Sequence, residues 1–316
     1  MVFDEHPLKD LYRRLIWGPY RRALEAAPPG VEIDVNRGLG RVVCRASGGR
    51  RAMLRAHLAD ALGPHPNLDR MVKECFETHF SNQYVGFTFQ KVTSETWPDF
   101  LTIVGRDHLD RALDKGKGVI VAHPHFALPQ LPLHVLGVLG YDVHQIGGGK
   151  PTVELSPTGE QVARVRAELE ARIVATLHDG KGYIRPILRA IQDNKVVFTA
   201  CDGTGGGDEL GRRVVVQMLG RRVTMPVFAP WAGLRTGATV IPMVPWRNRA
   251  KGARYVAEFE APLELSGSAK SDADVQRGAQ QLANRVERWL RQHPGDWHFW
   301  DKWTTAEGGL LVGATE

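Results

Sequence analysis

The stretch Gly118-Val119-Ile120-Val121-Ala122-His123-Pro124-His125-Phe126-Ala127-Leu128-Pro129-Gln130 constrains this chain more than any other. A short apolar run bounded by glycine reads as a strand buried on both faces. The proline after His123 forces a turn, so two imidazoles land where the strand stops. In α/β folds the carboxyl end of a buried strand is where ligands bind. Taken alone, the two histidines fit a general base, a metal pair or simple packing.

A second run of the same kind, Val196-Val197-Phe198-Thr199-Ala200-Cys201, leads into Asp202-Gly203-Thr204 and three more glycines. Between and after the two runs, strand and helix patterns alternate. Pro132–Leu139 reads as helix and Asp142–Ile146 as strand; residues 159–178 read as one long helix with Val162, Val165, Leu169, Ile173 and Leu177 on a face. Pro186 opens a shorter helix, Val214–Met218 reads as a strand, and Pro226–Leu234 as helix. Thr239–Val244 and Arg254–Phe259 read as strands, and Ser271 caps a last helix near 272–292. Gly147–Lys150 lacks the spacing of a phosphate-binding loop and reads as a connection. Strands alternating with helices predict an α/β fold with a mixed, largely parallel central sheet flanked by helices.

Residues 1–100 predict a mostly helical N-terminal part, with 101–305 the α/β core of one domain. Residues 8–24 form a basic amphipathic helix carrying Trp17 and Tyr20, able either to lie on an anionic membrane or to dock on the core. Residues 31–45 read as a small hairpin or two short strands. Helices follow from Arg51 to Leu62 and from Asn67, and a short one over 107–115 has Asp107 as its cap.

Four groups of residues can carry chemistry. His125 at a strand end can take a proton from a hydroxyl or amine, because imidazole titrates near neutrality. Gln130 can accept a hydrogen bond from its other nitrogen, but it cannot stabilise an imidazolium as a carboxylate does. His123 reads first as a packing residue that hydrogen-bonds across the turn. Asp202 followed by glycine is a turn-former by type. Beside a histidine on a neighbouring strand end it gains functional weight, and Gly203 and Thr204 begin a loop whose N–H groups can face an oxyanion. Arg212-Arg213 and Arg221-Arg222 can grip phosphate or stand as solvated turns. Trp297, Trp300 and Trp303, three tryptophans in seven residues, seal an end of the core or wall an acyl pocket.

In order, these segments resemble the lipid A late acyltransferases (lauroyl and myristoyl transferases) of the lysophospholipid acyltransferase-like superfamily. The family's strand running into H-x-x-x-x-[DE] is matched by His125-Phe126-Ala127-Leu128-Pro129-Gln130, with Gln130 where the acid belongs. Ile187-Leu188-Arg189-Ala190-Ile191, Asp202-Gly203-Thr204, Leu219-Gly220, Thr236-Gly237-Ala238 through Pro242, and Pro294-x-x-Trp297-x-x-Trp300 follow in the family's order, over roughly 100–305. The resemblance implies transfer of a fatty acyl group from an acyl carrier protein or coenzyme A thioester to a hydroxyl or amine of a lipid-like acceptor. His125 would be the base, Gln130 would orient it, and Asp202 could supply the missing carboxylate from the next strand end. His123, Phe126, Gly203, Thr204, Arg212, Arg213 and Trp300 would line the substrates. No metal or redox cofactor is implied; the thioester is a co-substrate.

Charge and composition bear on the partner. Net charge is +6 over 316 residues, which favours an acidic carrier or an anionic membrane. The basic residues are dispersed and no nucleic-acid motif occurs, so nucleic acid is not expected. Three cysteines without a C-x-x-C pair suit a reducing compartment. The N-terminus lacks a signal-peptide layout, and no run approaches the roughly 20 apolar residues of a membrane span. The expectation is a cytoplasmic protein, peripheral on the inner face of a bacterial cytoplasmic membrane. Two other functions compete: a metal-dependent hydrolase built on His123, His125 and Asp202, and a degenerate, non-catalytic acyl- or carrier-binding protein. The hydrolase barrel would need more than the about five or six strands legible after residue 100.

Overall fold

The computed structural model describes residues 7–147, 155–179, 184–203 and 211–313. Residues 7–100 are mostly helical. Helix α1 (Pro7–Leu15) continues through a wider π-helical turn, Ile16–Tyr20, into α2 (Arg21–Ala26). Then come α3 (Val31–Ala46), α4 (Gly48–Leu62), α5 (Leu68–Gln83) and the short α6 (Trp97–Phe100).

Helix α3 replaces the hairpin expected at 31–45. Its buried positions are Glu32, Ile33, Asn36, Arg37, Gly40 and Cys44, which is helical spacing, while Val35 and Val42 are exposed. The buried stripe is half polar, so an apolar count points to the wrong period. Glu32 is paid for by Lys91, whose ammonium lies 3.0 Å from its carboxylate and donates to the Leu24 and Ala27 carbonyls. Gly40 lets α3 meet α5: a Cβ there would stand 2.6 Å from the Phe76 carbonyl oxygen.

The remaining elements are β1 (Leu101–Val104), α7 (Arg106–Leu113), β2 (Val119–His123), α8 (Gln130–Val138), β3 (Val143–Gly147), α9 (Pro157–Glu170), β4 (Thr176–Asp179), α10 (Arg185–Gln192) and β5 (Val196–Ala200). After them come β6 (Arg213–Met218), β7 (Arg221–Pro226), α11 (Phe228–Thr236), β8 (Thr239–Arg247), β9 (Tyr255–Phe259) and α12 (Asp272–Gln292). The main sheet has seven strands in the order β1-β9-β8-β2-β5-β3-β4. Every pairing is parallel except β8 with β9. Strands β6 and β7 form a separate antiparallel hairpin. The expected mixed, largely parallel α/β sheet with a helical N-terminal part is the fold observed.

Three local readings change. The helix expected over 159–178 stops at Glu170, and Thr176–Asp179 becomes the edge strand β4. His178, read from the pattern as a helix end, therefore lies in a strand, stacked on His144 at 5.2 Å. Gly105, in the left-handed region at φ 73°, occupies the cap position of α7, and Asp107 sits in the first turn instead. Ser271 does cap α12, accepting from the Asp274 N–H. Of the Gly147–Lys150 connection, residues 148–150 lie outside the described residues.

Strand β2 is buried along its whole length. Ile120 and Ala122 join one apolar layer with Val197, Val240 and α12; Val119 and Val121 join the other with Phe198, Ile241 and α8. A central parallel strand needs both faces covered, hence its unbroken apolar run. For the site, register matters most. His123 stands opposite Ala200, and the Cys201 N–H donates to the His123 carbonyl at 2.9 Å. His125 and Asp202, each two residues further on, thus leave adjacent strands at the same edge. Among the described residues no helix is long and apolar enough to cross a membrane.

Candidate active site

His125 follows the turn at Pro124 and keeps 34% of its side chain exposed, whereas the Asp202 side chain is 4% exposed. The His125 Nδ1 lies 2.7 Å from Asp202 Oδ1. The His125 backbone N–H donates to the same carboxylate, 3.1 Å from Oδ1 and 2.9 Å from Oδ2. The indole Nε1–H of Trp297 donates to Oδ2 at 2.7 Å. Every partner of this carboxylate is a donor. Burial alone would raise the Asp202 pKa, but the His125 ring and these hydrogen bonds hold it below the usual carboxylate value. With Nδ1 donating to an ionised carboxylate, the neutral imidazole carries its lone pair on Nε2.

The loop bearing His125 is pinned by the segment after α12. The Ala127 N–H donates to the Asp296 carbonyl at 2.7 Å, the His298 N–H donates to the His125 carbonyl at 3.0 Å, and Phe126 bridges Trp297 in antiparallel fashion. His298 Nε2 donates to the Ala127 carbonyl at 2.8 Å. Ala127 is held at φ 45°, uncommon for a residue with a Cβ, and its backbone bonds to this segment hold it there. The Phe299 ring stands edge-on to His125 at 4.8 Å. Gly203, at φ 77°, lets that ring close over the turn, since a Cβ would come within 2.4 Å of it.

The other residues singled out from sequence fall as follows. His123 is 1% exposed; its Nδ1 faces the Pro124 carbonyl at 3.3 Å, and burial pushes its pKa down to about 4. That ring is neutral and part of the packing, 6.2 Å from the His125 ring. Gln130 opens α8, and among the described residues its side chain makes no hydrogen bond; the nitrogen it was expected to hold is held by Asp202. Phe126 is fully buried. Arg213 donates to the Gly203 carbonyl at 2.6 Å and to Thr224, bracing the backbone beside Asp202. Arg212 pairs with Asp272 at 2.7 Å on the surface. Trp300 is buried, donates to the Pro294 carbonyl at 2.6 Å, and meets Trp297 edge-to-face at 4.8 Å. Thr204 lies outside the described residues.

Trp297 was singled out from sequence only as one of three tryptophans that seal the core or wall an acyl pocket, not as a partner of Asp202, and Asp296 and Phe299 were given no role. A buried indole needs a partner for its N–H, so one of the three clustered tryptophans had to meet a buried acceptor; which one is a tertiary matter. Among the described residues no three or more His, Cys, Asp and Glu are grouped so as to hold a metal ion.

A strand-end imidazole with a free Nε2, backed by a buried carboxylate, can remove a proton from a substrate and stabilise the resulting imidazolium. No curated protein matches the chain. The family model of the bacterial lipid A biosynthesis acyltransferases matches it over residues 20–304, and the protein belongs to that family of acyl-transferring enzymes.

Proposed function

We propose that this protein moves a fatty acyl group from a carrier-protein or coenzyme A thioester to a hydroxyl or amine of a lipid-like acceptor, with His125 as general base. The observation that carries the reading is the 2.7 Å contact between His125 Nδ1 and Asp202. His125 Nε2 takes the acceptor's proton as its oxygen or nitrogen attacks the thioester carbonyl. The tetrahedral intermediate collapses with cleavage of the C–S bond, and the imidazolium returns its proton to the departing thiolate. The products are an ester or amide and a free thiol, so charge and atoms balance without a metal. Gln130 lacks a negative charge, but Asp202 brings one to the imidazole; this supports a working enzyme over a degenerate binding protein.

The acceptor is met at a membrane surface. Leu11, Tyr12 and Leu15 of α1 are 55%, 48% and 53% exposed, and Arg14 and Arg22 are exposed near them. An apolar strip flanked by basic residues suits the inner, anionic face of a cytoplasmic membrane.

The test is thioester consumption by purified protein in anionic vesicles holding candidate acceptors: aminolipids, glycolipids and lipid A precursors. Acyl transfer to one class is expected, with the wild type sedimenting with the vesicles and Leu11→Glu/Leu15→Glu remaining in solution. No acceptor-dependent thiol release from any donor would refute the enzymatic reading, and equal sedimentation of both forms would refute the role of α1.

A further inference from the structure

Each of three clustered indoles donates to a different acceptor. Trp303 donates to Asp60 at 2.9 Å and Trp300 to the Pro294 carbonyl, whereas Trp297 donates to Asp202 Oδ2. We propose that Trp297 is a positioning residue of the acyl-transfer site, its indole N–H fixing the Asp202 carboxylate against His125 Nδ1; this rests on the function proposed above.

The geometry separates this hydrogen bond from packing. Trp297 is 2% exposed and wedged edge-on between Trp300 at 4.8 Å and Phe299 at 6.1 Å, with its backbone bridged to Phe126. Those contacts hold the ring whether or not the N–H has an acceptor. The carboxylate, by contrast, depends on Trp297. Without it, among the described residues Oδ2 keeps only its share of the forked bond from the His125 N–H at 2.9 Å. A buried carboxylate with an oxygen so poorly partnered is costly to keep ionised and free to rotate.

The expected effect on pH follows from charge. The working pair is a neutral imidazole beside a carboxylate, with net charge of minus one; protonating the imidazole neutralises it. A donor on Asp202 favours the uncompensated negative form more than the neutral one. Losing that donor therefore makes protonation easier and moves the acid limb of kcat/KM to higher pH. Among the described residues the other titratable groups facing the pair are His123, His298 and Cys201. Burial pushes both imidazoles down to about 4 and the thiol up, so none changes charge near neutrality.

Trp297→Phe keeps an aromatic ring, smaller than the indole, and deletes the donor. A fall in kcat of about tenfold at neutral pH with KM little changed is expected, together with the upward shift of the acid limb. Trp300→Phe, which deletes a neighbouring indole donor, should leave the limb in place. The titration of the His125 ring protons by NMR reads the same shift without any substrate, so it decides the matter even if no acyl transfer is found. A lower rate with an unmoved limb and an unmoved His125 titration would reduce Trp297 to packing and overturn the proposal. Should Trp297→Phe not fold, Asp202→Asn decides it: the Trp297 indole N–H resonance should move upfield while that of Trp300 stays. An unmoved Trp297 resonance would overturn the proposal.

Discussion

His125→Ala is expected to lower kcat/KM for acyl transfer by about a hundred- to ten-thousand-fold, the range that a positioned general base contributes. The ring stands at the edge of the sheet with one nitrogen committed to Asp202 and the other without a partner among the described residues, and it is far less buried than its neighbours. Nothing else among the described residues is placed to substitute for it. His123 is sealed in the core with its pKa near 4, and His298 spends Nε2 on the Ala127 carbonyl. Fold and stability should survive, because His125 is held through its backbone, by Asp202 on its N–H and by His298 on its carbonyl. The check is steady-state turnover of a thioester beside a thermal melt. Turnover within threefold of wild type would remove His125 from the mechanism.

Asp202→Asn is expected to cost nearly as much, in the same range of about a hundred- to ten-thousand-fold, for a reason specific to this site. Among the described residues all the partners of Asp202 are donors: the His125 Nδ1–H, the His125 N–H and the Trp297 Nε1–H. An asparagine must point its NH2 at one of them in either orientation. The least costly escape is for the imidazole to change tautomer, placing its proton on Nε2 and leaving no lone pair for the substrate. The imidazolium would also lose its counter-charge. Gln130→Ala, in contrast, removes a side chain that makes no hydrogen bond among the described residues and should change kcat/KM by about twofold or less. Measured side by side, the two variants identify which side chain orients the base. A large loss in Gln130→Ala with little in Asp202→Asn would reverse the assignment.

The same pair shows where the sequence was legible. The apolar runs Val119–Ala122 and Val196–Ala200 announced buried strands, because a central parallel strand must be apolar on both faces. Each ended in a residue of catalytic type, so an edge carrying His125 and Asp202 could be anticipated. The helical pattern at 31–45 was not legible, because α3 buries Glu32, Asn36 and Arg37 and exposes Val35 and Val42. The polar side chains there are neutralised by groups remote in sequence, such as Lys91. Strand β4 was lost inside a helical period for a similar reason: Ile173 and Leu177 kept the spacing after the backbone had turned.

By itself the sequence determined the class of fold, the two strand ends that meet and the family pattern, and it offered His125 as the candidate base, since each rests on local order along the chain. Tertiary structure decided which group holds that base. Gln130 is five residues from His125 and Asp202 is 77. Yet the pairing of β2 with β5 sets His123 opposite Ala200 and brings the distant carboxylate within hydrogen-bond reach, while α8 begins at Gln130 and the glutamine makes no side-chain hydrogen bond among the described residues. Likewise only packing could select Trp297 from its neighbours, because an indole's partner is fixed by where its N–H points in the folded chain.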